Sequence, residues 1–301
     1  MIKKRAVFFL LILLCIVSGV VLAQRHSSDR SPDITTQVSI SREKQRLPNQ
    51  KFINSQEVGG LFHWDIDPEF SNDVFTFVRI DYDYTDHRSM YGQGSGGGTS
   101  KIDYPDSDNN FSFRLQQLTS IEVNPEPIYI TLEDSTLSNY PFIYLLEPRG
   151  LHLGDKDVKT LRQYLLNGGF LMIDDFWGSE WSNVRKEMKK VFPEYEPVLL
   201  TLDHPVFHCV FDLKELPQIP AIDFAVTSSG GLSGTTSESN QPARYYAIND
   251  DKDRMMVIIC RDTDLGDGWE REGENHAFFK EFSEKKAYPL GINIVFYAMT
   301  H

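Results

Sequence analysis

Hydrophobic positions along this chain fall into short, dense runs that are each closed by charge, and the clearest succession of them spans Pro141 to Gly178. Phe142 to Leu146 is uniformly apolar and rich in aromatic and branched side chains. Val158, Leu161 and Leu165 then recur at helical spacing, and Phe170 to Ile173 is apolar again. Runs this short and this uniform belong to strands buried on both faces, as in a parallel sheet. The stretch therefore predicts a strand–helix–strand unit, whose strands end in Glu147 and Arg149 and in Asp174 and Asp175.

The same patterning covers much of the chain. Val74 to Tyr82 alternates as a strand and runs out through Asp81, Asp83 and Asp86 into a glycine-rich loop, Gly92 to Gly98. No Gly-Lys-Ser/Thr follows that loop, so it reads as a loop tip or lid and not as a phosphate cradle. Asp108 or Asn109 is placed to cap a helix carrying Phe111, Leu115 and Leu118. Pro127 to Thr131 predicts a strand, Asp155 a helix cap, and Gly168-Gly169 that helix's end. Trp181, Val184, Met188 and Val191 form a further helical stripe, with Lys186, Lys189 and Lys190 mostly on its solvated faces. Pro197 to Leu200, Ala221 to Val226 and Tyr245 to Ile248 read as strands, the last two flanking a Ser/Gly-rich loop from Ser228 to Asn240. Met255 to Cys260 is a fully apolar strand closed by Arg261, Asp262 and Asp264, and the segment from Asn275 reads as two helical pieces broken at Pro289. Strands alternating with helices on a buried sheet predict one three-layer α/β domain over residues 51–301, built on an open, mostly parallel sheet.

The N-terminus has a different character. Lys3-Lys4-Arg5 precedes an unbroken apolar run from Ala6 to Val17, and Val21-Leu22-Ala23 closes before Gln24. Residues 1–23 have the layout of a cleaved signal peptide, with an uncleaved signal anchor as the alternative. Cys15 lacks a small-residue lipobox. Residues 24–50 are polar and without periodicity, the pattern of a flexible tether. The domain is thus expected outside the cytoplasm, secreted or periplasmic, touching the inner membrane only through an uncleaved N-terminal segment. In that setting Cys209 and Cys260 have two readings, a disulfide or two small buried apolar residues.

Charge narrows the partners. The formal net charge is −13 over 301 residues, which repels nucleic acid and favours cations, basic ligands or a basic envelope protein. Four candidate strands end in acids: Asp81 and Asp83, Glu147, Asp174 with Asp175, and Asp262 with Asp264. Parallel strands would bring these to one crevice, where clustered carboxylates raise one another's pKa, bind a hard cation or receive a basic group. The same acids have a plainer reading as caps of the helices that follow. Glu147, Asp174, Asp175 and His204 are the catalytic candidates. Asp81, Asp83, Arg149, Asp264, Asp267 and Trp269 are the binding candidates. His204 and His208, four apart, with Asp175, are the metal candidates, although Pro205 argues against a regular helix there. The acids from Asp262 to Glu270 fail the EF-hand spacing, since Gly266, Asp267 and Gly273 occupy its fifth, sixth and twelfth positions, which leaves a looser calcium loop or, with Trp269, a wall for a cationic or sugar-like ligand. No Gly-x-Ser-x-Gly or Gly-x-Cys-x-Gly elbow is present; Cys260 is the conceivable thiol.

The strand ending in Arg79 and Tyr82, Asp103-Tyr104-Pro105, Asn110-Phe111, Arg114, Leu118-Thr119, YPFIYLLEP, LRQYLLNGGFLMIDDFWG, DHPVFH, DLGDGWE and GINIVFYAMTH follow one another from about Phe75 to His301. In this order they resemble the bacterial domain-of-unknown-function family 4159 (DUF4159). The resemblance implies a flavodoxin-like fold related to the class I glutamine amidotransferase-like superfamily, often exported or membrane-attached, with no established activity. In true amidotransferases a cysteine occupies the sharp turn after a central strand; here Glu147 stands in that turn. The expected function is a ligand- or protein-binding module at the cell envelope that lacks the nucleophile. The alternative is a hydrolase, metal-assisted or not, using strand-end carboxylates and histidines.

Overall fold

The computed structural model describes residues 64–70, 73–82, 99–227, 229–233 and 240–301, all within the second of the two units into which the chain divides, Phe52–His301. The leader, the tether, Asp83, Asp86 and the glycine-rich loop lie outside the described residues.

Seven strands form one sheet: β1 (Val78–Asp81), β2 (Ile128–Thr131), β3 (Phe142–Leu146), β4 (Phe170–Asp174), β5 (Val198–Leu199), β6 (Arg244–Asn249) and β7 (Met255–Arg261). Their order is β2-β1-β3-β4-β7-β6-β5. Neighbours from β2 to β7 pair in parallel, while β6 runs antiparallel to both β7 and β5. Helical crossovers lead from β1 to β2 and from β3 to β4 and return the chain to the same edge, which sets the parallel pairing of these strands. Every residue of β3 and β4 is buried, as their unbroken apolar runs require.

Alternate residues of these strands feed two cores, one on each face of the sheet. Phe77, Phe142, Tyr144, Met172 and Ile258 point into a core covered by α1 (Asp106–Leu118) and by the helices after β7. Val78, Ile143, Leu145, Leu171, Ile173 and Val257 point into the other core. That face is covered by α2 (Asp155–Leu166) and α3 (Trp181–Val191). Three layers follow directly from this two-sided burial.

The structure corrects several local expectations. Ala221 to Val226 is no strand: Ile222–Ala225 is a short helix, α4, whose first amide donates to the Asp267 carboxylate. Four apolar residues are too few to separate the two periods, and a side-chain acceptor decided the outcome. Asp108 does not cap α1. It lies inside the helix with its carboxylate turned onto Arg79. Gly154, not Asp155, precedes α2, and Asp157 accepts from its amide. Pro289 breaks nothing, because α6 (His276–Phe278) continues through a π-helical stretch, Phe279–Ala287, into α7 (Tyr288–Thr300). The wider π turn reassigns the backbone bonds just where proline has no N–H to offer. Cys209 and Cys260 are both free thiols, and Cys260 is fully buried. Among the described residues no helix is long and apolar enough to cross a membrane.

Candidate functional site

β1, β3, β4 and β7 all point their carboxyl ends to the same edge, and the chain leaves that edge through acidic residues in an unusual backbone conformation. Asp103, Glu147, Asp175 and Asp262 have φ of 62°, 48°, 55° and 58°. The left-handed region is uncommon for residues with a side chain, aspartate tolerating it better than glutamate.

The centre of the site is a trio on two connections. Asp103 comes from the segment between β1 and α1; Asp264 and Asp267 come from the start of α5 (Leu265–Glu270). These carboxylates each offer an oxygen within 4.8 Å of the others. Asp264 caps α5, its Oδ1 accepting from the Asp267 amide at 2.8 Å. Asp267 accepts from the Ile222 amide at 2.6 Å through Oδ2. Asp103 Oδ2 is buried and accepts no hydrogen bond. A Cβ added to Gly266 would sit 2.6 Å from that oxygen, so only glycine leaves it room.

Asp174 and Asp175 lie beside the trio. Asp174 Oδ2 accepts from the Tyr144 hydroxyl at 3.0 Å and from the Leu265 and Gly266 amides at 2.9 and 3.3 Å, while its Oδ1 is buried without a partner. Asp175 Oδ1 accepts from the Trp177 indole at 3.1 Å. Glu147 pairs loosely with Arg149, at 3.5 Å.

Burial among like charges governs the electrostatics. Burial pushes Asp175 well above the usual carboxylate range, and the charges of Glu147, Asp103, Asp174 and Asp267 push it further. Burial does the same to Asp103, with Asp267 and Glu270 adding to it, and to Asp264, with Asp175 and Asp267 adding to it. Asp267 is raised chiefly by burial, against the Ile222 hydrogen bond and the Arg271 charge. Burial moves Asp174 from 3.8 to about 7 and Glu270 from 4.5 to about 7, the latter against its Arg271 partner.

Cations nearby are already engaged. Arg79, fully buried, directs its N–H groups to Asp108, Ser107 and the carbonyls of Ser100 and Ile102. Arg271 serves Glu270 and Glu274, and its Nε stands 3.7 Å from Asp267 Oδ1.

Other residues singled out in the sequence are not brought here. His204 caps a short turn, its Nδ1 accepting from the Val206 amide, and its ring packs on Tyr297 at 5.6 Å. Charges from Asp203, Asp253 and His301 act on it, and Asp253 lies in the turn leading into β7, at the opposite edge of the sheet. His208 bonds Asp212 and the Leu202 carbonyl. Trp269 is no ligand wall: it is fully buried between Phe111 and Tyr144. Asp81 accepts from Tyr129 and Ser100. Asp262 accepts from the Gly178 amide and faces Arg261. Cys260 lies inside β7, its thiol pushed up by burial and by the charge of Asp174.

Sequence reasoning passed over Asp103 as a site residue, although the Asp-Tyr-Pro motif before a helix marks it. It also missed Glu270 and the Arg79–Asp108 pair. A family model described as "Domain of unknown function (DUF4159)" matches residues 76–299. A search of curated proteins finds no match to the chain.

Proposed function

We propose, from the premise that the chain belongs to the DUF4159 family, that it is a non-catalytic binding module whose ligand is positively charged and enters the crevice at the carboxyl ends of the parallel strands. The observation carrying this reading is the gathering of Asp103, Glu147, Asp175, Asp264 and Asp267 at one edge, with burial and mutual repulsion raising Asp103, Asp175 and Asp264 far above their ordinary values. A positive ligand would relieve that repulsion. The sharp turn after β3 supports it too, since the position that would hold an amidotransferase thiol carries Glu147. The strand order beginning β2-β1-β3-β4 agrees with a flavodoxin-like, amidotransferase-related fold, in which ligands bind at this edge. Export to the envelope rests on the basic and apolar N-terminus.

A hydrolase using these carboxylates together with His204 draws no support from the histidine, which is engaged at the far edge of the sheet. The test is titration of the purified full chain with a fluorescent lysine-rich peptide. Saturable binding that weakens with added salt and is lost in a Glu147→Gln, Asp175→Asn double variant is expected. No binding, or binding indifferent to the double variant, would overturn the reading.

A further inference from the structure

We infer that Asp103, Asp264 and Asp267 form a binding site for a hard divalent cation. The inference deepens the reading of the crevice as a receiver of positive charge and rests on it.

Geometry comes first. Two oxygens on one calcium ion can stand no farther apart than about 4.8 Å, twice a bond of roughly 2.4 Å. The three carboxylates already meet that bound without any movement. Magnesium takes the same kind of oxygen ligands with bonds of about 2.1 Å, so both ions belong in the test. All-oxygen ligands of this kind select hard cations over zinc or copper.

The second observation is Asp103 itself. Its Oδ2 is buried, lies against the bare Cα of Gly266, and has no hydrogen-bond donor. Buried polar atoms are almost always partnered, and a buried charged oxygen without a donor is costly. Asp103 differs in this from Asp264 and Asp267, each of which accepts a backbone amide and keeps a further oxygen. Those two amide bonds hold the α5 ligands in place, and Asp103 closes the set from the opposite connection.

Among the described residues the nearby cations are mostly committed to other acids. The N–H groups of Arg79 go to Asp108, Ser107 and two carbonyls. Arg271 stands 3.7 Å from Asp267 Oδ1 and is shared with Glu270 and Glu274. Asp174 keeps an unpartnered Oδ1 in the same region, and Asp175 adds another buried carboxylate. A divalent ion would balance two of these negative charges at once.

The test is calorimetric titration of the purified full chain with calcium chloride, and separately magnesium chloride, beside Asp103→Asn and Asp264→Asn. Asparagine is a good replacement in both places, because it keeps the shape of aspartate and also caps helices. One ion per chain is expected, with a dissociation constant of about 10⁻³ M or tighter, as in extracellular calcium modules. Each variant should weaken binding by about tenfold or more, through the lost ligand charge. Thermal melts give the second readout. Without cation, Asp103→Asn should melt no lower than the wild type, since it removes one of several buried like charges; with calcium, the wild type should gain more. Absence of saturable binding of either ion, or equal binding by both variants, would overturn the site. So would an Asp103→Asn protein that melts well below the wild type without cation, because Asp103 would then be held by partners of its own. A lysine-rich peptide that binds while neither ion does would remove the ion and leave the binding-module reading standing. An ion bound without any peptide would do the reverse.

Discussion

Asp174 shows how a single buried carboxylate sets the pH response of this edge. Burial raises it from 3.8 to about 7, even though Tyr144 and two backbone amides bond its ionised form. Between those two values the folded chain keeps a proton that the unfolded chain has already lost. The folded state therefore binds more protons, and its stability falls as pH rises from about 4 to about 7. The slope attributable to this one group is at most about 1.4 kcal/mol per pH unit. Urea unfolding across that range should show Asp174→Asn losing less stability with rising pH than the wild type; identical slopes would contradict it. The Arg79–Asp108 pair behaves in the opposite sense, as a partnership that must not be broken. Both side chains are wholly buried, and Asp108 receives two arms of the guanidinium. Asp108→Ala would strand a buried cation, and denaturant melts should register a loss of about 3–5 kcal/mol. Neither residue's role was legible in the sequence. Asp108 looked like a helix cap because aspartate favours caps, and its inward turn follows from where β1 places Arg79. Residue type alone does not reveal that.

Elements were read most securely where burial is two-sided and long enough to leave a period. β3, α2 and β4 stand where the apolar runs put them, and β7 likewise. The misread element, α4, is only four residues long, and what fixes it is the distant acceptor Asp267. The π-helical stretch was equally hidden, since the sequence shows only the proline that it accommodates. Packing at the start of α5 supplies a prediction at this scale. Gly268 lies so close to the π-helix that an added Cβ would stand 2.4 Å from the Ala287 Cβ. Real Cβ atoms do not approach that closely, so Gly268→Ala must push the two elements apart. Overpacking of this kind costs about 1–3 kcal/mol. Because α5 carries Asp264 and Asp267, the displacement should also weaken cation binding, although residue 268 bears no ligand. Unchanged stability in urea would show that the two helices have slack between them.

At the scale of the whole molecule, two kinds of negative charge must be kept apart. The chain carries a formal −13, and much of it lies on exposed side chains such as Glu194, Glu196 and Asp203, whose pKa values are held low by their hydrogen bonds. The sequence displayed this total openly, and it displayed the acids after the strands. It did not show that Asp103, from a loop before α1, would close the cluster, nor that Asp81 and His204 would be engaged elsewhere; those outcomes depend on how the connections fold over the sheet's edge. The distinction has a measurable consequence. Salt screens exposed charges over a length of about 10 Å at 0.1 M and acts far less on buried ones. Raising sodium chloride from about 0.02 to about 0.5 M should therefore raise the melting temperature by relieving surface self-repulsion. Asp103→Asn should keep that response, because its lost charge was buried. Calcium at about 1 mM adds little ionic strength, so any stabilisation it brings must come from binding, growing with concentration as mass action requires. The same variant should lose most of that response. Thermal melts of both proteins in the two salts would separate surface screening from site occupancy. An Asp103→Asn protein stabilised by calcium as much as the wild type would remove the physical basis of the site.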